Sequence, residues 1–164
     1  MNNYILVGKI INTFGIKGEL KIASDFEYQE RVFKKDFPIY IGINKIKEII
    51  NSKRVHKKYN LILFEGYNNI NEVLKYKGNN IYILRNDLQL NNDEYLLTDL
   101  VGLDVYDNDK LIGKVLDYEK TIQYTLLKVK GEKVFYIPNI KEFIKCVDLK
   151  ARKIITERGS DLII

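Results

Sequence analysis

The sequence predicts a mainly β protein with a few short helices, organised as two strand-rich halves. Three observations carry that prediction. Short runs rich in Val, Ile, Leu and Tyr recur along the 164 residues, separated by Gly, Asn and Asp turns. Capping signals for helices occur only ahead of brief segments. Between the halves, Asn86-Asp87-Leu88-Gln89-Leu90-Asn91-Asn92-Asp93-Glu94 is polar and follows neither the helix nor the strand period. This divides the chain into a domain over residues 1–86, a linker over 87–94 and a second domain over 95–164.

Taken in order, residues 4–12 and 19–23 read as a pair of strands. Ser24-Asp25-Phe26-Glu27 has the S-x-x-E form of a capping box and predicts a short helix reaching about residue 34. Residues 37–43 and 45–56 follow as strands around a Gly42-Ile43-Asn44 turn, and Lys57-Lys58-Tyr59-Asn60 turns into a strand over 61–64. Asn69-Ile70-Asn71-Glu72 repeats the capping arrangement, with Gly78 as the helix stop before a strand over 81–84. In the second half, residues 103–106 and 111–117 meet through Asp107-Asn108-Asp109. Residues 124–129 and 134–137 then meet around Lys130-Gly131-Glu132. Pro138 should break that strand. One helical turn is expected over 139–143, followed by strands over 144–149 and 154–157. Many short strands at this spacing suggest a small barrel, whose closure removes exposed edges.

Composition narrows the function. No run approaches the ~18 apolar residues of a membrane span, and Met1-Asn2-Asn3-Tyr4 enters a strand pattern at once, so neither a membrane anchor nor a signal peptide is expected. The single cysteine, Cys146, fits a reducing cytoplasm and reads as a small core residue. No phosphate-binding Gly-x-x-x-x-Gly-Lys-Ser/Thr is present, and no dinucleotide fingerprint follows a strand. The only histidine, His56, lies among Lys53, Arg54, Lys57 and Lys58, a field that repels a metal cation. These absences exclude zinc, Cys-His and nucleotide chemistry from the expected repertoire, leaving a non-enzymatic protein with no cofactor and no metal site.

Charge points to a polyanion. The net charge is +5, but residues 1–86 carry 15 Lys/Arg against 8 Asp/Glu, a net of +7, while residues 87–164 carry 12 against 14, a net of −2. Lys45, Lys47, Lys53, Arg54, Lys57 and Lys58 lie within fourteen residues that contain one acid, Glu48. On a hairpin they form either a phosphate-binding patch or a lysine-protected, solvated edge. No aromatic interleaving is evident, so backbone contact is expected rather than base stacking. Gly15-Ile16-Lys17-Gly18 has the spacing of a KH-domain loop. That loop joins two helices, whereas strand-like sequence flanks this one, so a shaped hairpin presenting Lys17 is the expectation.

The ordered motifs resemble a known family. Val7-Gly8-Lys9-Ile10 with Gly15-Ile16-Lys17-Gly18-Glu19-Leu20-Lys21 is similar to the opening signature of the RimM ribosome maturation factors, with Phe14 where the family usually carries histidine. Leu63-Phe64-Glu65-Gly66-Tyr67 through Gly78 resembles the following segment. Glu94-Tyr95, Asp99-Leu100-Val101-Gly102-Leu103, Ile112-Gly113-Lys114-Val115, Tyr136-Ile137-Pro138 and Val147-Asp148-Leu149 resemble a PRC-barrel domain. The resemblance implies two small β-barrels, the second PRC-barrel-like. It further implies a monomeric cytoplasmic factor that assists 16S rRNA processing and assembly of the 30S subunit head by binding the immature small subunit and its ribosomal protein S19. Gly15, Lys17, Gly18, Lys53, Arg54, Lys57 and Lys58 are then the expected ribosome-contacting residues. Tyr95, Asp99, Leu100 and Gly102 are expected at the domain junction or the protein contact. The alternative is a general RNA-binding β-barrel of the translation machinery.

Overall fold

The computed structural model describes residues 3–164 and falls into two compact units, one ending at Leu90 and the other running from Asn91 to Ile164. In the first unit, β1 (Tyr4–Phe14), β2 (Glu19–Ala23), β3 (Pro38–Ile41), β4 (Ile46–His56), β5 (Tyr59–Phe64) and β6 (Asn80–Leu84) close into a barrel in the order β1-β2-β5-β4-β3-β6. Closure depends on β1, which pairs with β6 through its first half and β2 through its second. Its register slips between Leu6 and Gly8 and again between Ile10 and Asn12; such bulges bend a strand enough to serve two neighbours. A Cβ on Gly8 would stand 2.9 Å from the Ala23 carbonyl oxygen, so the first glycine of the opening motif marks a close approach of two backbones. Ile10, Leu20, Ile22, Ile50, Ile62 and Ile81, all fully buried, fill the barrel.

The short helix expected from Ser24 to about residue 34 is instead a single turn, α1 (Gln29–Val32). The Ser24 hydroxyl donates to the Val7 carbonyl at 2.6 Å and accepts from the Phe26 N–H at 3.1 Å, tying the segment to β1 rather than capping a helix. Phe26, Val32 and Phe33 are buried around this turn, and buried Asn60 donates to Gln29 Oε1 at 3.1 Å. The second capping signal is realised. Asn69 Oδ1 accepts from the Asn71 N–H at 2.8 Å and starts α2 (Ile70–Val73), which runs into a 3-10 turn over Leu74–Tyr76. Burial raises the pKa of the Tyr76 phenol, whose O–H donates to Glu48 at 3.1 Å. The strand expected over 37–43 shortens to β3. The polar segment begins inside a one-turn helix, α3 (Arg85–Leu88), because Leu88 is an apolar anchor only 4% exposed.

In the second unit, α4 (Leu97–Leu100) precedes β7 (Asp104–Asp107), β8 (Lys110–Lys120), β9 (Thr125–Lys130), β10 (Val134–Pro138), β11 (Ile144–Asp148) and β12 (Lys153–Thr156), in a sheet ordered β10-β9-β8-β7-β12-β11. The hairpins follow the sequence pattern, but β12 pairs with β7 in parallel, a long-range match that no turn signal announces. Leu100, Leu103, Val105, Val129, Ile137 and Ile154 anchor its core. Cys146 is exposed rather than a core residue: the β11–β12 register shifts between Ile144 and Cys146, which overturns the simple alternation. After β12 the chain closes with a 3-10 turn, Gly159–Leu162, whose Ser160 N–H donates to Asp107 at 3.0 Å.

Candidate nucleic-acid interface

Strand alternation sends Leu20, Ile22 and Ile62 into the first barrel and turns Glu19, Lys21, Tyr59 and Arg54 to its outer side. Lys21 and Arg54 are both direct cross-strand partners of Leu61. Leu61 is on this outer side yet only 1% exposed, between the strands that carry Lys21 and Arg54. Arg54 reaches Glu19 in a two-pronged pair, Nε to Oε2 and Nη2 to Oε1, each at 2.9 Å. The guanidinium carbon stands 5.4 Å from the centre of the Phe14 ring, and Phe14 meets the His56 ring at 5.0 Å. On the same side, Lys21 Nζ lies 4.6 Å and Lys58 Nζ 5.4 Å from the centre of the Tyr59 ring. The hydrogen bonds from Arg54 hold the Glu19 carboxyl below its ordinary pKa, with Lys17 adding to the effect, and Glu19 in turn raises that of Arg54.

The basic segments read from the sequence occupy distinct places here. Gly15 (φ 68°) and Lys17 are exposed at the β1–β2 turn, beside Ile16, which is 78% exposed. This turn is docked, not free: the Ile16 carbonyl accepts from the Ile70 N–H at 2.9 Å. Gly18 (φ 100°) is buried, and a Cβ there would lie 3.3 Å from the Asn69 N. The β2–β5 register puts this turn and the Lys57-Lys58 turn at opposite ends of the strands. Lys53 and Arg54 do not form one patch with them. As neighbours on β4 they face opposite ways, and both are ion-paired, Lys53 with Glu30 at 3.3 Å and Arg54 with Glu19. Lys53 is also the more covered, with 17% of its side chain exposed.

In the second unit the four residues singled out act on local order. Asp99 Oδ2 accepts from the Leu96 N–H at 2.9 Å and so fixes the start of α4. Leu100 is fully buried in the core, which removes it from any partner contact. Gly102 turns the chain at φ 89° and donates its N–H to the Val115 carbonyl at 2.8 Å. Tyr95 packs against the core with its hydroxyl 3.4 to 3.5 Å from the Asn139 side chain.

The face on β1, β2, β4 and β5 therefore combines unpaired lysines with rings, contrary to the expectation that aromatics would not interleave with the cations. Phe14, Glu19, Lys21, His56, Tyr59 and Leu61 are the members that sequence reasoning missed. Their signal was the period-two spacing of Glu19/Lys21 and Tyr59/Leu61 on adjacent strands, legible only once the register is known. Among the described residues no group of His, Cys, Asp and Glu is arranged to hold a metal ion, and no helix is long and apolar enough to cross a membrane.

Comparison with known proteins follows the same two units. The model of the RimM N-terminal domain matches residues 5–88, and that of the RimM PRC barrel domain matches residues 97–162. The ribosome maturation factors RimM of Staphylococcus haemolyticus and Staphylococcus epidermidis are each 37% identical to this chain over 153 residues, covering 90% of it and 92% of their own length. A crystal structure of a 16S ribosomal RNA processing protein RimM from Pseudomonas aeruginosa aligns over 98% of this chain and 100% of its own, at 21% identity and a TM-score of 0.49.

Proposed function

This chain belongs to the RimM family, and on that premise we propose that it is a ribosome maturation factor: a non-enzymatic, cytoplasmic protein that binds the immature small subunit and assists 16S rRNA processing. The observation that carries this reading is the match to both family domains in order, over nine-tenths of the chain. The cationic outer face of the first barrel supports rRNA as the partner of that unit, since lysines that neutralise phosphates release condensed counterions. Lys17, Lys57 and Lys58 are its exposed members, and Gly15 and Gly18 shape the turn that presents Lys17.

The finer part of the proposal concerns the second unit. Its net charge of −2 over residues 87–164 suits a basic protein better than a phosphate backbone, and S19 of the subunit head is the partner we assign to it. Contact energy concentrates in aromatic anchors. Tyr124 and Tyr136, 39% and 38% exposed, are candidates beside half-buried Tyr95. A pulldown of purified S19 without RNA tests this. The full chain should retain S19 and lose it on Tyr124→Ala with Tyr136→Ala, while Lys17, Lys57 and Lys58 changed to Gln leave it bound. Retention that depends on the lysines and ignores the tyrosines would reverse the division of labour.

A further inference from the structure

The outer face of the first barrel carries more chemistry than a phosphate-binding patch needs. Arg54 has both prongs of its guanidinium on Glu19, so its charge is already matched while its carbon stays 5.4 Å from the centre of the Phe14 ring. Phe14 in turn meets His56 at 5.0 Å with the two rings tilted 51° to each other, so a guanidinium and two rings adjoin in one row. Beside this row, Lys21 and Lys58 converge on the Tyr59 ring. Neither ammonium has a carboxylate partner among the described residues. Two like charges directed at one ring repel, and an anion placed between them relieves that repulsion.

Resting on the ribosome-binding role proposed above, we infer that this face takes an unpaired stretch of RNA, one nucleobase extending the Arg54–Phe14–His56 row and an adjoining phosphate held between Lys21 and Lys58. Every base has a π face, so such a shelf tolerates sequence while requiring that the base be free. A double helix keeps its base faces stacked inside and offers this surface only phosphates. An acidic peptide would satisfy the lysines and leave the rings unused. The combination of matched guanidinium, adjoining rings and unmatched ammoniums therefore selects a single strand over the other polyanions. Glu19 contributes by positioning: its two hydrogen bonds hold Arg54 beside Phe14 and away from the phosphate.

The test uses the full chain and fluorescently labelled RNA of about ten nucleotides, a length within the range one small barrel covers. Oligoadenylate, its duplex with oligouridylate and a polyglutamate peptide are compared by anisotropy at several salt concentrations. The single strand should bind more tightly than the duplex and outcompete the peptide. Phe14→Leu, which keeps an apolar side chain but removes the ring, should weaken single-strand binding about 5- to 150-fold with an unchanged salt slope. Lys21→Gln with Lys58→Gln should instead lower the log–log salt slope by about 1.4. If Phe14→Leu disturbs the circular dichroism spectrum, His56→Gln at the end of the row serves in its place, with a loss in the same direction. Equal binding of duplex and single strand together with indifference to the ring substitutions overturns the inference, as does peptide binding that displaces the RNA. Loss of RNA binding with small-subunit binding intact removes only this inference. The reverse result removes only the ribosomal role.

Discussion

Replacing Lys17, Lys21, Lys57 and Lys58 together by Gln should reduce the salt dependence of binding to immature small subunits far more than replacing Lys53 and Arg54. None of the first four ammoniums stands in a close ion pair among the described residues, Lys17 acting on Glu19 only at longer range, whereas Lys53 and Arg54 already face Glu30 and Glu19. A free cation that meets a phosphate releases condensed counterions, contributing about 0.7–0.9 to the log–log slope of affinity against salt. Four such contacts amount to a slope loss of about 3, equivalent to about a 60-fold difference in salt sensitivity between about 50 and 200 mM. The paired cations exchange one anionic partner for another and should contribute well under one unit. Anisotropy of labelled protein titrated with purified immature subunits, repeated across that salt range, measures both slopes. Circular dichroism checks that each variant is folded. Slopes lowered equally by the two sets, or lowered more by Lys53 and Arg54, would refute the claim that internal pairing removes those two from the interface.

Three further outcomes follow from local geometry. Gly18→Ala forces a Cβ into a left-handed position 3.3 Å from the Asn69 nitrogen and should cost at least about 1–2 kcal/mol in urea unfolding; an unchanged midpoint would mean that the turn is not docked on α2. Hydrogen bonds from Ser160, chiefly its side chain, hold the Asp107 carboxyl below its ordinary pKa, aided by neighbouring backbone N–H groups. Its contribution is therefore present above the unfolded value near pH 4 and lost as pH falls through the folded one. Asp107→Asn should cost about 1–3 kcal/mol at pH 7, and its unfolding curve should approach that of the unchanged protein as falling pH protonates the folded carboxyl; a gap that widens toward acid would contradict the sign. Limited proteolysis should cut first within residues 89–94 and leave two resistant fragments, whereas a single resistant core trimmed only at its ends would argue against treating the halves as separate domains.

Most strands of both units were legible in the sequence because β-branched runs and Gly/Asn/Asp punctuation act locally. The failures share a physical cause: each depended on a partner distant in the chain. Ser24 read as a helix cap until the Val7 carbonyl, 17 residues earlier, claimed its hydroxyl. Cys146 read as buried because alternation was projected through a bulge. The parallel match of β12 with β7 has no turn to announce it. The same limit applies to the candidate site. Lys53, Arg54, Lys57 and Lys58 look like one cluster in one dimension, but pleating divides Lys53 from Arg54, and acids from α1 and β2 neutralise both. Conversely, Phe14 and His56 are 42 positions apart and become neighbours only when four strands are in register. Family membership was legible because it rests on ordered local motifs, which survive without knowledge of the contacts.

The central claim is that this chain works on the small ribosomal subunit during its maturation. Sedimentation of a cell extract through a sucrose gradient, with the protein followed by immunoblot, tests it most directly. The protein should migrate with free small subunits, be enriched on those carrying unprocessed 16S rRNA, and be absent from joined ribosomes. Protein that stays at the top of the gradient, or that spreads over all RNA-containing fractions in proportion to RNA mass, would contradict the claim, the latter in favour of a general RNA-binding barrel.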